Sequence, residues 1–129
     1  AGLDGSERID LVLRWYELHL LDALGYRPQL TECAICHEVL DETTDRFSPQ
    51  AGGAICPRCA PSDRSALPMG LAAFKLLRLL QVQPLSGIER LSLSQGLRSE
   101  AEQLLRAAIR QLLERDLKSV VFLDEVRQG

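Results

Sequence analysis

Four cysteines constrain this chain more than any other feature. They fall as Cys33-x2-Cys36-x19-Cys56-x2-Cys59 in a sequence of 129 residues. Two residues between the members of a pair let one tight turn aim both sulfurs at a single ion, and two such knuckles close a tetrahedron. The spacing predicts one structural Zn2+ per chain, held by Cys33, Cys36, Cys56 and Cys59, with no coordination position left for water. A pair of disulfides is the competing arrangement. The first residues, AGLDGSERID, lack the apolar stretch of a secretory signal, and in a reducing cytosol the thiols persist. A cytoplasmic chain is expected, and no apolar run reaches bilayer-spanning length.

Two other chemistries use similar residues. Cys36-His37-Glu38 followed by a Cys-x2-Cys pair is similar to the zinc-deaminase pattern, in which a Glu moves protons and three ligands hold the metal. Here Cys33 is a surplus ligand, and Pro57 follows Cys56 where that pattern has a proline before the cysteine. Cys56-Pro57-Arg58-Cys59 is similar to the iron knuckle of rubredoxins, but an electron carrier has no need of long amphipathic helices. His19 and His37 are read as surface or packing residues beside a filled four-cysteine site. Asp41, Glu42 and Asp45 lie in a stretch with no sign of the burial that would separate their pKa values for acid–base work. With no glycine-rich phosphate loop and no Ser/His/Asp arrangement, the chain is not expected to be an enzyme.

Hydrophobic residues make up 46% of the chain and aromatics 5%, a balance that favours helices over a sandwich or barrel. Ser6 to Leu24 reads as a first helix. Ile9, Val12, Leu13, Tyr16, Leu20 and Ala23 follow the spacing of a buried stripe, and Leu11, Trp15, Leu18 and Leu21 form a second. Asp4 or Ser6 is placed to cap it, and Gly25 and Pro28 stop it. Two stripes imply burial around most of the circumference, as in a fragment whose missing part covers one side. Residues 66–81 read as a second helix with Leu71, Phe74, Leu77 and Leu80 near one face, and a short turn is placed at Ile88–Leu91. The last helix runs from Ser94–Ser99 to about Leu117, with Ser99 and Glu102 matching a capping box. Its stripe is Ala101, Leu104, Leu105, Ala108, Ile109, Leu112 and Leu113; the SVVFLDEV tail is apolar enough to dock. Trp15, Tyr16 and Phe74 are expected in the core. The expected architecture is mainly α, a helical bundle fragment with an inserted four-cysteine zinc-finger loop. Residues 1–28 give the first helix, 29–63 the zinc loop, and 64–129 the remaining helices and tail.

The sequence resembles a known family at three places. Trp15-Tyr16-Glu17-Leu18-His19-Leu20-Leu21 with Leu24-Gly25-Tyr26-Arg27-Pro28-Gln29-Leu30 resembles the helix end ahead of the first cysteine pair in the C-terminal region of RecO, the bacterial recombination mediator. Phe47-Ser48-Pro49, Gly52-Gly53 and Cys56-x2-Cys59 resemble the same family's Phe-Ser-Pro-x-x-Gly-Gly-x-x-Cys-x-x-Cys element. Leu117-Lys118-Ser119 and Phe122-Leu123 resemble its closing tail. The chain departs from the family at His19, which replaces Arg, at His37, where a Gly usually follows the second cysteine, and at Val120-Val121, which replaces a more basic stretch. The resemblance implies a DNA repair protein of homologous recombination, a mediator that binds single- and double-stranded DNA. It also implies RecR-like and single-stranded-DNA-binding protein partners, strand annealing and RecA loading, and a cytoplasmic, nucleoid-associated place. The family's N-terminal oligonucleotide-binding barrel of five strands is expected to lie outside this chain.

Charge is unevenly spread. Residues 1–63 carry 11 acids and 5 bases, whereas residues 64–129 carry 7 acids and 10 bases, so attraction to nucleic acid is expected from the second half. Arg78, Arg106, Arg110, Arg115 and Lys118 are the candidate DNA contacts, with Lys75 beside Arg78. Arginines bind phosphates bidentately and supply the salt-dependent part of affinity. Glu102–Arg106 and Glu114–Lys118 also have the spacing of ordinary helix-surface pairs. No interleaved aromatic series for base stacking is visible. The alternative is a zinc-stabilised protein-interaction module without DNA binding; a homodimer that hides the first helix is also compatible with the pattern.

Overall fold

The computed structural model describes the backbone of residues 5–88 and 91–128 and the side chains of residues 8–88 and 91–115. Among the described residues, four α-helices and one small sheet follow in order, with a 3-10 turn at Ala60–Ser62: α1 (Gly5–Ala23), β1 (Arg46–Ser48), β2 (Gly53–Ile55), β3 (Leu67–Pro68), α2 (Leu71–Val82), α3 (Leu85–Ile88) and α4 (Gln95–Gln128). About 53% of the chain is helical. The mainly α expectation is met in part, because the cysteine segment is built on a three-stranded antiparallel sheet of order β2-β1-β3 rather than on loops alone.

The core joins both parts. Phe47 of β1 and Ile55 of β2 are buried in one apolar cluster with Leu18 of α1, Phe74, Leu77 and Leu80 of α2, and Leu104 and Leu105 of α4. Phe47 pairs with Ala54 on one side and Leu67 on the other. The sheet is thereby tied to the helices through shared burial, not merely inserted between them.

α1 lies where expected, but only one of its two stripes is buried, against the expectation of burial around most of its circumference. Leu11, Leu18 and Leu21 are buried, while Ile9 is 61% and Leu20 56% exposed, with Leu13 and Tyr16 also open. Both stripes have helical spacing, so periodicity cannot choose between them; long-range polar contacts show which side is turned inward. Trp15 Nε1 donates to the Gln83 carbonyl at 2.8 Å, the His19 ring lies 4.0 Å from the Trp15 ring, and His19 Nε2 sits 3.2 Å from the Leu80 carbonyl oxygen. Arg14 is buried on this side as well, paired with Glu17 and 3.6 Å from Glu102 of α4. Arg98 of α4 reaches Asp10 of α1 at 3.1 Å. Tyr16 therefore leaves the expected core, whereas Phe74 occupies it.

α4 continues to Gln128, past the expected end near Leu117, and two helix starts moved for identifiable reasons. α2 begins at Leu71, five residues later than expected, because Leu67 and Pro68 pair with β1. A residue before proline is biased toward extended backbone, which suits Leu67 to that strand. The Gly70 N–H ahead of α2 donates to the Glu100 carboxylate of α4 at 2.6 Å, so a distant helix supplies the acceptor. α4 starts earlier than a Ser99 cap allows, since Ser94 Oγ accepts the Leu97 N–H at 3.2 Å, the geometry of an N-cap. Glu102 is engaged with Arg106 at 2.5 Å instead of closing a capping box. The Asp4 cap lies outside the described residues, as do the side chains of the SVVFLDEV tail.

Candidate metal centre

The first knuckle is a turn in which Cys33 N–H donates to the Glu38 carbonyl at 2.8 Å and His37 N–H to the Cys33 carbonyl at 2.9 Å. His37 takes a left-handed backbone conformation, φ 66°, at the position where the resemblance above has glycine. The second knuckle follows β2 directly, with Cys59 and Ala60 N–H groups both donating to the Cys56 carbonyl. Ala34 N–H donates to the Ala54 carbonyl at 2.9 Å and locks the first knuckle onto β2. Outside the cluster, Arg58 of one knuckle is ion-paired with Glu38 of the other.

The four sulfurs converge. Cys33, Cys36, Cys56 and Cys59 place all their Sγ atoms within 4.8 Å of one another. Cys36 and Cys56 Sγ are 3.7 Å apart. A tetrahedron with metal–sulfur bonds of about 2.3 Å has edges of about 3.8 Å, so this spacing fits four thiolates on one ion. The backbone is arranged for negative sulfur. Cys33 Sγ accepts N–H groups from Ile35 at 3.4 Å, Cys36 at 3.5 Å and Cys56 at 3.4 Å. Burial works to raise the Cys33 thiol, but these donors outweigh it and hold it down at about 6. Loss of hydration and hydrogen bonds shared among the neighbouring sulfurs push Cys59 up to about 12, and Cys36 is raised for the same reasons. The Cys33 sulfur is thus favoured as a thiolate, while Cys36 and Cys59 are held toward the thiol form, whose protons a bound cation displaces.

The candidate nucleic-acid residues do not form one patch. Arg106 is committed to Glu102, in the same cluster as Arg14 and Glu17. Burial raises the Glu17 carboxyl, with Arg14 opposing the shift. Arg115 donates to the Gln50 carbonyl at 2.7 Å, and Arg110 is exposed on α4. Arg78 lies on α2, its guanidinium carbon 5.3 Å from the centre of the Phe74 ring. The Lys118 side chain lies outside the described residues. Arg27, missing from the expected set, lines the same groove as Arg78 and Lys75. Its sequence signal was its place in the Gly25–Pro28 turn, which says nothing of which helix that turn meets.

The family described as Recombination protein O C terminal matches residues 2–120. The chain belongs to the RecO C-terminal family. It is 64% identical, over 98% of its length, to the DNA repair protein RecO of Roseiflexus sp., covering 45% of that protein. It is 40% identical to the RecO of Dehalococcoides mccartyi and 34% identical to that of Anaeromyxobacter dehalogenans, in each case over 98% of this chain and 50% of the relative. The chain thus spans about half the length of the curated RecO relatives it matches. No solved structure matches it. Among the described residues no helix is long and apolar enough to cross a membrane.

Proposed function

We propose that this chain is the zinc-stapled helical portion of a RecO-like mediator of homologous recombination. In this reading it is a binding element and not a catalyst, working in the cytoplasm on DNA. One Zn2+ on Cys33, Cys36, Cys56 and Cys59 fixes the sheet against α2 and α4 and supplies folding energy, not reactivity. The observation that carries the reading is the convergence of four sulfurs at tetrahedral spacing in a chain of the RecO C-terminal family. Contacts with DNA and with RecR-like and single-stranded-DNA-binding partners would serve strand annealing and RecA loading.

The test has two parts. Elemental analysis of the purified chain is expected to return one zinc per molecule, and chelation to unfold it. Anisotropy with a labelled oligonucleotide is expected to give binding that weakens steeply between low and physiological salt. A second reading, a protein-interaction module without DNA binding, is favoured by the open apolar stripe of Ile9, Leu13, Tyr16 and Leu20 on α1. Full zinc occupancy with no oligonucleotide binding at 50 mM salt decides for that module.

A further inference from the structure

Arg27, Lys75 and Arg78 converge on one open groove of about 330 Å³ between the turn after α1 and the outer face of α2. The turn is held there by Gln81 of α2, whose side-chain amide donates to the Pro28 carbonyl at 2.9 Å. Among the described residues no carboxylate lines the groove. None of the three cations has an ion-pair partner among the described residues, in contrast to Arg14, Arg46, Arg58, Arg98 and Arg106. Thr31 adds a hydroxyl at the rim, and Leu79 and the exposed Val82 give the floor an apolar character. Arg27 also borders a neighbouring apolar hollow of about 100 Å³, where Tyr26, itself 44% exposed, and Arg115 lie on the lining. Arg27 lines both hollows, so a path past it joins Tyr26 to Lys75 and Arg78, with Arg115 at its far end bonded to the Gln50 carbonyl.

We infer that this path is a single-stranded nucleic-acid track, with backbone phosphates on Arg27, Lys75 and Arg78 and one base against Tyr26. The inference rests on the DNA-contact reading above and gives it a location that moves the main contacts away from Arg106 and Arg110. Cations without ion pairs or intervening acids among the described residues select a polyanion, because each gains a partner without breaking an ion pair. The hollow beside Arg27 selects a single strand over a duplex, since only an unstacked base can leave its helix and lie on a ring.

The experiment is fluorescence anisotropy of the zinc-loaded chain with labelled oligo-dT and a duplex of equal length, from 50 to 200 mM salt. The triple variant Arg27→Gln/Lys75→Gln/Arg78→Gln is expected to lose about two units of salt slope. Its affinity for oligo-dT then changes about sixteenfold less than the parent's over that range. Tyr26→Ser is expected to weaken oligo-dT binding about fivefold or more and to leave duplex binding unchanged. Arg27→Lys/Arg78→Lys keeps the charges and is expected to keep the salt slope, which separates charge loss from misfolding. Arg106→Gln/Arg110→Gln should stay within about twofold of the parent. If the parent binds and the triple variant binds equally well, the track is wrong while the DNA reading stands. If the parent binds neither nucleic acid at 50 mM salt, the DNA reading falls and the track with it. Equal loss of duplex and single-strand binding on Tyr26→Ser overturns the single-strand assignment. Capture of a poly-Glu peptide in place of oligo-dT overturns the nucleic-acid assignment.

Discussion

Replacing Gly53 with alanine isolates the contact that holds the cysteine segment together. A Cβ at this position would lie 2.3 Å from the Gln29 carbonyl oxygen and 2.5 Å from the Gln29 nitrogen. Both are backbone atoms, so neither can swing aside. Gln29 is also held on both sides, its N–H donating to the Gly52 carbonyl at 2.9 Å and its carbonyl accepting the Ala54 N–H at 2.8 Å. Relieving the collision separates the strand-like segment at Gln29 from β2, and overpacking costs about 1–3 kcal/mol. Two backbone hydrogen bonds worth about 1 kcal/mol each are lost or stretched as well, giving an expected destabilisation of about 3–5 kcal/mol. Gly52→Ala is the control. Gly52 has φ 93° and nothing within 4 Å of an added Cβ, so it incurs only the left-handed backbone cost of about 1–2 kcal/mol. Urea unfolding of the zinc-loaded chains measures both. Because β2 leads into Cys56 and carries the Ala54–Ala34 hydrogen bond to the first knuckle, Gly53→Ala should also lose metal to a chelator faster than Gly52→Ala. Two variants within 1 kcal/mol of each other, with equal metal loss, would refute this account of the Gln29–Gly53 contact.

Further outcomes follow from single contacts. His37→Gly should stabilise the chain by about 0.5–1 kcal/mol in thermal melts, because the left-handed strain exceeds glycine's entropic cost. Asp63→Ala should cost about 1–3 kcal/mol at pH 7, since it leaves the buried Ser48 O–H without its acceptor, the Ala51 N–H remaining on the oxygen. Hydrogen bonds from Ser48 and Ser65 hold the Asp63 carboxyl below its ordinary value. A depressed folded pKa means that its contribution is complete above the ordinary carboxylate range and is lost as pH falls through the folded value. The gap between parent and Asp63→Ala in urea midpoints should therefore close on acidification below about pH 4. Cys33→Ser should abolish stoichiometric zinc and leave the chain unfolded or molten by near-UV circular dichroism, as a chelator should do to the parent. Leu20→Ser should change stability by less than about 0.5 kcal/mol, because Leu20 faces outward.

The metal centre was the most legible part of the molecule. Cys-x2-Cys spacing is a local code, since a turn of that length aims both sulfurs whatever surrounds it, and the four thiols do converge. The left-handed backbone at His37 was not read from the residues; only the resemblance, which has glycine at that position, pointed to it. The sheet was not legible. Its strands are two or three residues long, too short for an alternation to register, and they exist because residues 29, 46–48, 53–55 and 67–68 meet through long-range pairing.

Helix existence was written in the spacing of leucines, so α1, α2 and α4 could be placed from the amino-acid order alone, along with the cysteine cluster. Which stripe of α1 turns inward, which helix supplies the acceptor ahead of α2, and which arginines remain unpaired were decided only when the elements packed. The physical reason is range. Helical periodicity and turn chemistry act over about four residues, whereas the bonds from Trp15 to Gln83, Glu100 to Gly70 and Gln81 to Pro28 cross 30 to 68 positions.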